Sequence, residues 1–136
     1  MIINDAVTVA EVGQAVDAYE EALGANDLEA LDGFFWDAPQ TVRFGATENL
    51  FGFAAIAAFR RGRVGGSPLR RRTRTEILAL GHDVAVANVE FIRSDTGQCG
   101  RQTQTWMRTP KGWRVVSAHV SLLPRETGAP PAGQGT

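Results

Sequence analysis

RTRTEILAL (Arg72–Leu80), VAVANVEFI (Val84–Ile92), QCGRQTQTWMR (Gln98–Arg108) and WRVVSAHVSL (Trp113–Leu122) are the four runs whose reading decides the fold. Each sets β-branched and aromatic residues among polar ones at a period near two, the pattern of a strand with two different faces. They are separated by Gly81-His82-Asp83, Ser94-Asp95-Thr96-Gly97 and Pro110-Lys111-Gly112, all of turn composition. Links this short join neighbouring strands, so the C-terminal half reads as an antiparallel meander.

Upstream, the period changes. Thr8 and Glu11 have the spacing of a capping box. Val12, Val16, Tyr19 and Leu23 then form one helical stripe, which Gly24 ends. Asn26 is placed to cap a short second helix from Asp27 to about Phe35, stopped by Pro39. Thr41 to Phe44 alternates, with Val42 and Phe44 on one side and Thr41 and Arg43 on the other. Glu48 and Asn49 turn the chain into a short partner strand at Leu50 and Phe51, and Phe53 to about Arg63 is a third helix.

This order predicts a single α+β domain over residues 1–124, three helices packed on one face of a curved antiparallel sheet. The bend leaves a small-molecule pocket at the wide end. The opposite sheet face is expected to be covered by a second copy, giving a homodimer. Residues 125–136, rich in Gly, Pro and Ala, are expected to be disordered.

A length of 136 residues with 43% hydrophobic and 21% charged residues suits one soluble core. A net charge of −1 gives no global field for nucleic acid, and no apolar run is long enough for a membrane helix. With Cys99 as the single cysteine and no export-type leader, a cytoplasmic location is expected. Seven of the 14 basic residues (Arg60, Arg61, Arg63, Arg70, Arg71, Arg72 and Arg74) crowd into one stretch without interleaved aromatics. That stretch is either a solvated surface or one wall of an anion site.

Candidate site residues follow from chemistry. Tyr19 is the only tyrosine and lies on the buried stripe, so its hydroxyl needs a partner: a backbone carbonyl, or a ligand at the pocket wall. Arg43 is an exposed strand arginine or, if its side lines the pocket, a two-pronged grip for a carboxylate. Glu48 is then its orienting partner, a base, or a turn residue. Ile56, Arg60 and Arg63 share one helix face, so Arg60 either snorkels to solvent or binds ligand. His119, between Ser117 and Ser121, is a structural or a site histidine. His82 falls in a turn, and no metal cluster and no cofactor-binding motif are seen, so neither a metal nor a cofactor is expected.

Several stretches together resemble the AtzH-like family. They are Tyr19–Leu23 with Asn26-Asp27, Arg43–Gly52, Ile56 with Phe59-Arg60, Gly100–Trp106, Gly112–Val116 and Ala118–Ser121, spread from about residue 12 to 123. The resemblance implies the cone-shaped nuclear transport factor 2-like fold. It also implies a part in bacterial breakdown of small nitrogen-rich compounds of the cyanuric acid or oxalurate type, in functional association with an amidase-signature hydrolase. The implied activity is that of a decarboxylating amidohydrolase taking 1,3-dicarboxyurea, a small anionic carboxylated urea, to allophanate. The family's essential tyrosine and arginine correspond to Tyr19 and Arg43. Arg60, Glu48, His119 and Trp106 are the candidates for substrate contact. Two other readings stand beside this one. The first is a non-catalytic small-carboxylate-binding protein that assists a partner amidase. The second is an isomerase or cyclase whose base would be Glu48 or Glu90.

Overall fold

The computed structural model describes residues 1–125; the expected disordered tail lies, but for Arg125, outside the described residues. The elements run α1 (Ala6–Ala25), α2 (Leu28–Phe34), β1 (Val42–Phe44), β2 (Asn49–Phe51), α3 (Phe53–Gly62), β3 (Arg70–Leu80), β4 (Val84–Arg93), β5 (Cys99–Thr109) and β6 (Gly112–Leu122). They form one six-stranded sheet of order β2-β1-β6-β5-β4-β3, and the three helices pack on one face of it.

The expected meander is present, since β3, β4, β5 and β6 pair antiparallel in sequence order. The sheet is nevertheless mixed rather than wholly antiparallel. β1 pairs parallel with β6, Arg43 beside Ala118, and the chain already runs parallel to β6 at the Phe35–Val115 bridge that precedes β1. Two register shifts, at Arg72/Arg74 and Thr105/Trp106, are bulges that bend the sheet.

Local signals land close to their predicted places, with one shift at the start of α1 and one at its end, where Asn26, expected to cap α2, closes α1 instead. Asp5, not Thr8, caps α1, its carboxylate accepting from the Thr8 amide at 3.1 Å and the Thr8 hydroxyl at 2.8 Å. Glu11 instead accepts from Trp113 Nε1 at 3.0 Å and pairs with Arg108, tying α1 to β6. Asn26 closes α1 in the left-handed conformation (φ 51°), and Asp27 caps α2.

On the inner sheet face Ala79, Ala85, Ala87 and Ala118 are buried, and Val12 and Val16 of α1 and Trp106 pack in one cluster with them. Small side chains there let the helices lie close. Further along the same strands the inner residues become Val89, Phe91, Gln102, Val120 and Leu122, and the layers part. The outer face is mixed: Arg74, Glu76, Glu90 and Arg101 stand among Leu78, Phe44 and Phe51.

Gly100 faces Phe91 across the β4–β5 ladder, and a Cβ there would sit 2.3 Å from the Phe91 ring. Gly100→Val is therefore expected to lose about 1–3 kcal/mol through overpacking, read as a lower urea midpoint with an unchanged slope.

Candidate functional site

Where the helices and sheet part, a cavity of about 350 Å³ opens, lined by residues of α1, β1, the β1–β2 turn, α3, the loop before β3, and β3 to β6. A smaller pocket of about 20 Å³ adjoins it, sharing Tyr19, Arg43 and Arg63 with its lining and bordered besides by Leu31, Ile56 and Arg60.

Tyr19 projects from the buried stripe of α1 and is only 2% exposed, its ring set edge-on to Phe34 at 6.0 Å. Among the described residues no group hydrogen-bonds its hydroxyl, which borders the cavity instead. The backbone-carbonyl alternative is thereby removed.

Arg43 is aimed inward by β1. Thr41 fixes the strand's entry, its hydroxyl donating to the Trp36 carbonyl at 2.7 Å and its own carbonyl accepting from the Gly52 amide at 2.7 Å. Arg43 Nη1 donates to Glu48 Oε1 at 3.0 Å. That same oxygen is 3.6 Å from Arg63 Nη2, while Glu48 Oε2 accepts from the Thr47 hydroxyl at 2.6 Å. The turn can fold its carboxylate back in this way because residue 45 is glycine; a Cβ there would overlap the Glu48 carboxyl.

Arg60 lies with its guanidinium 4.5 Å over the Phe35 ring, and its Nη1 donates to Asp32 Oδ1 at 3.1 Å. Arg63, on the same helix face, borders the cavity with its guanidinium 4.6 Å over Phe59. Burial is the main cause holding both guanidinium pKa values below the ordinary arginine value. For Arg60 the nearby Tyr19 oxygen opposes this, Arg43 adds to it, and Asp32 opposes it.

Arg70 escaped sequence reading. Its side chain is 7% exposed, and it holds Glu20 with two bonds of 2.9 and 2.8 Å and Gln102 Oε1 at 2.6 Å, stacked 4.4 Å over Phe91. Simple alternation from Ile77 would turn Arg71 inward. The bulge at Arg72/Arg74 exchanges the faces and brings in Arg70.

Two candidates lie elsewhere. Trp106 is fully buried under the helices, its Nε1 donating to Gln104 Oε1 at 3.0 Å, so it belongs to the core and not to the cavity lining. His119 is on the outer sheet face, exposed and edge-on to Phe44 at 5.6 Å, because its neighbours Ala118 and Val120 take the inner side. Glu90 is likewise exposed on the outer face, opposite Arg101, which removes it as a pocket base. Among the described residues there is no group of three or more His, Cys, Asp or Glu side chains placed to hold a metal ion. No helix among them is long and apolar enough to cross a membrane.

The sequence pattern of the AtzH-like family matches residues 1–126. Among solved structures, a protein of unknown function from Pectobacterium atrosepticum shares 47% identity, covering 90% of this chain and 95% of its own, with a TM-score of 0.84. A cystatin-like fold protein from Burkholderia xenovorans shares 42% identity over 93% of this chain and 99% of its own, with a TM-score of 0.86. A nuclear transport factor 2-like superfamily protein from Salmonella enterica, at 24% identity, covers 96% of this chain and 98% of its own with a TM-score of 0.73, and shares the fold. No curated protein matches the chain.

The Glu48 pairing makes a pH-dependent prediction. Burial raises the Glu48 pKa, but bonds from Thr47 and Arg43 and the Arg43 charge outweigh it and hold the pKa below the ordinary 4.5. A depressed carboxylate pKa stabilises the fold above the unfolded value, and that stabilisation is lost as pH falls through the folded value. Wild type should therefore exceed Glu48→Gln in urea midpoint near neutral pH, and the gap should close below about pH 4. A gap that is constant with pH would rule out the ion pair as its source.

Proposed function

The chain belongs to the AtzH-like family, and from that premise we propose that it is a decarboxylating amidohydrolase converting 1,3-dicarboxyurea to allophanate. The observation that carries the reading is the Tyr19 hydroxyl, free of protein partners, beside Arg43 at the inner end of a cavity rich in arginine.

In this reading the guanidinium groups draw in the anionic substrate, and Arg43 orients it. The carbamate C–N bond then breaks. The carboxylate carbon leaves as CO₂, the bonding electron pair stays on the urea nitrogen, and that nitrogen takes the proton of the Tyr19 hydroxyl. The phenolate left behind faces Arg60 and Arg63, which favours its transient charge, and solvent returns the proton. Glu48 has a supporting part: its carboxylate holds Arg43 while the cavity is unliganded. The cytoplasmic location, the homodimer and the association with an amidase-signature hydrolase belong to the same proposal. For the dimer, the exposed Phe51 and Leu78 supply outer-face apolar surface.

Tyr19→Phe removes a hydroxyl with no protein partner, so folding should be unaffected while turnover of 1,3-dicarboxyurea falls about 10²–10⁴-fold. Arg43→Lys should lose a similar amount, and the double change little more than either alone, because the two act as a unit. Near-full turnover by Tyr19→Phe, timed by CO₂ release, would replace catalysis with the carboxylate-binding reading. Sedimentation equilibrium should give twice the chain mass; a monomer at all concentrations would overturn the dimer.

A further inference from the structure

Arg60 Nη2 is, among the described residues, the one buried side-chain nitrogen or oxygen without a hydrogen-bond partner. Its side chain is 10% exposed, so nine-tenths of it is removed from solvent. Proteins seldom leave a charged donor in this state, since desolvation is costly when nothing replaces the lost water. Nor is the group free to swing away. Phe35 stacks against the guanidinium, and Nη1 is fixed on Asp32. Asp32 is itself braced from outside by Arg61 Nη2 at 2.6 Å. The open donor belongs to a side chain bordering the smaller pocket, whose lining also includes Tyr19 and Arg43.

Charge gives a second, independent indication. Arg43, Arg60, Arg61, Arg63 and Arg70 face only Asp32, Glu48 and Glu20 through the ion pairs of this region. Positive charges outnumber negative by two.

We propose that Arg60 builds an inner carboxylate subsite, so that the cavity takes a linear dianion with one carboxylate on Arg60 Nη2 and the other at Arg43 and Arg63. Asp32 is the positioning residue that presents Arg60. The inference rests on the proposed function only in placing the ligand in this cavity. It goes further in making the second carboxylate the source of selectivity. A site built around a charged donor discriminates strongly against an analogue that leaves the donor unpaired.

Glutarate and butyrate test this directly. Glutarate has the five-atom chain of a 1,3-dicarboxyurea, and butyrate is glutarate with one carboxylate replaced by hydrogen. Calorimetric titration of wild type should show glutarate binding about 10–100-fold tighter than butyrate, the range for one charged hydrogen-bonded contact. In Arg60→Met the preference should fall below about 3-fold, with butyrate affinity nearly unchanged. Equal weakening of both acids, or an unaltered preference, would overturn the subsite. Should Arg60→Met fail to fold, Arg60→Gln and a crystal of wild type soaked in glutarate decide. A carboxylate bonded to Arg60 Nη2 supports the proposal, and glutarate bound without it refutes it. Absence of turnover on 1,3-dicarboxyurea alongside a glutarate preference that needs Arg60 would sink the enzymatic reading and leave the subsite standing. Unchanged KM and kcat in Arg60→Met would do the reverse.

Discussion

Guanidinium groups held away from water govern this structure. Each must be matched by a carboxylate or stacked on an aromatic ring, because an uncompensated buried charge costs several kcal/mol. The pairs that meet this demand also join the layers. Arg70 of β3 holds Glu20 of α1, and Arg60 of α3 holds Asp32 of α2. Arg43 of β1 holds Glu48 from its own turn. At the alanine end, helices and sheet are joined by close packing of small side chains. At the open end, charge does that work, and the same bonds that keep the layers together there keep the cavity walls in place.

These arginines differ in how fully they are paired. Arg70 is satisfied on three bonds and also stacked, so its role is architectural. Arg43 and Arg63 share a single oxygen of Glu48. Arg60, deepest of the three pocket-facing guanidiniums in α3 and β1, keeps one nitrogen open.

Much of this was legible in the sequence, and what was not has identifiable causes. The strand runs stood out because alternation and turn chemistry agree at every break from Leu80 to Trp113. Tyr19 and Arg43 were legible because helix period and strand alternation each give a face directly. Arg60 followed from its spacing to Ile56. Arg70 was hidden by a bulge, which exchanges faces without leaving a sequence mark. Trp106 does face inward, yet alternation carries no information about depth along a strand, and depth separates core from cavity. His119 was misjudged for the opposite reason: its neighbours Ala118 and Val120 are the inward pair, and their small apolar side chains gave the answer. The helix start moved because Asp5 and Thr8 made a cap of their own, leaving Glu11 to bind Trp113.

The parallel contact of β1 with β6 sets the time at which the pocket comes into being. Arg43 lies beside Ala118, 75 positions later in the chain, so its wall is completed only once β6 has been synthesised. The β3–β4 hairpin needs only neighbours and can pair early, whereas closing a loop of this length is entropically expensive and slow. Until β6 arrives, the arginine-bearing strand has no sheet to join beyond its short hairpin with β2. A chain that lacks β6 thus carries Arg43 without the sheet that holds it against the cavity.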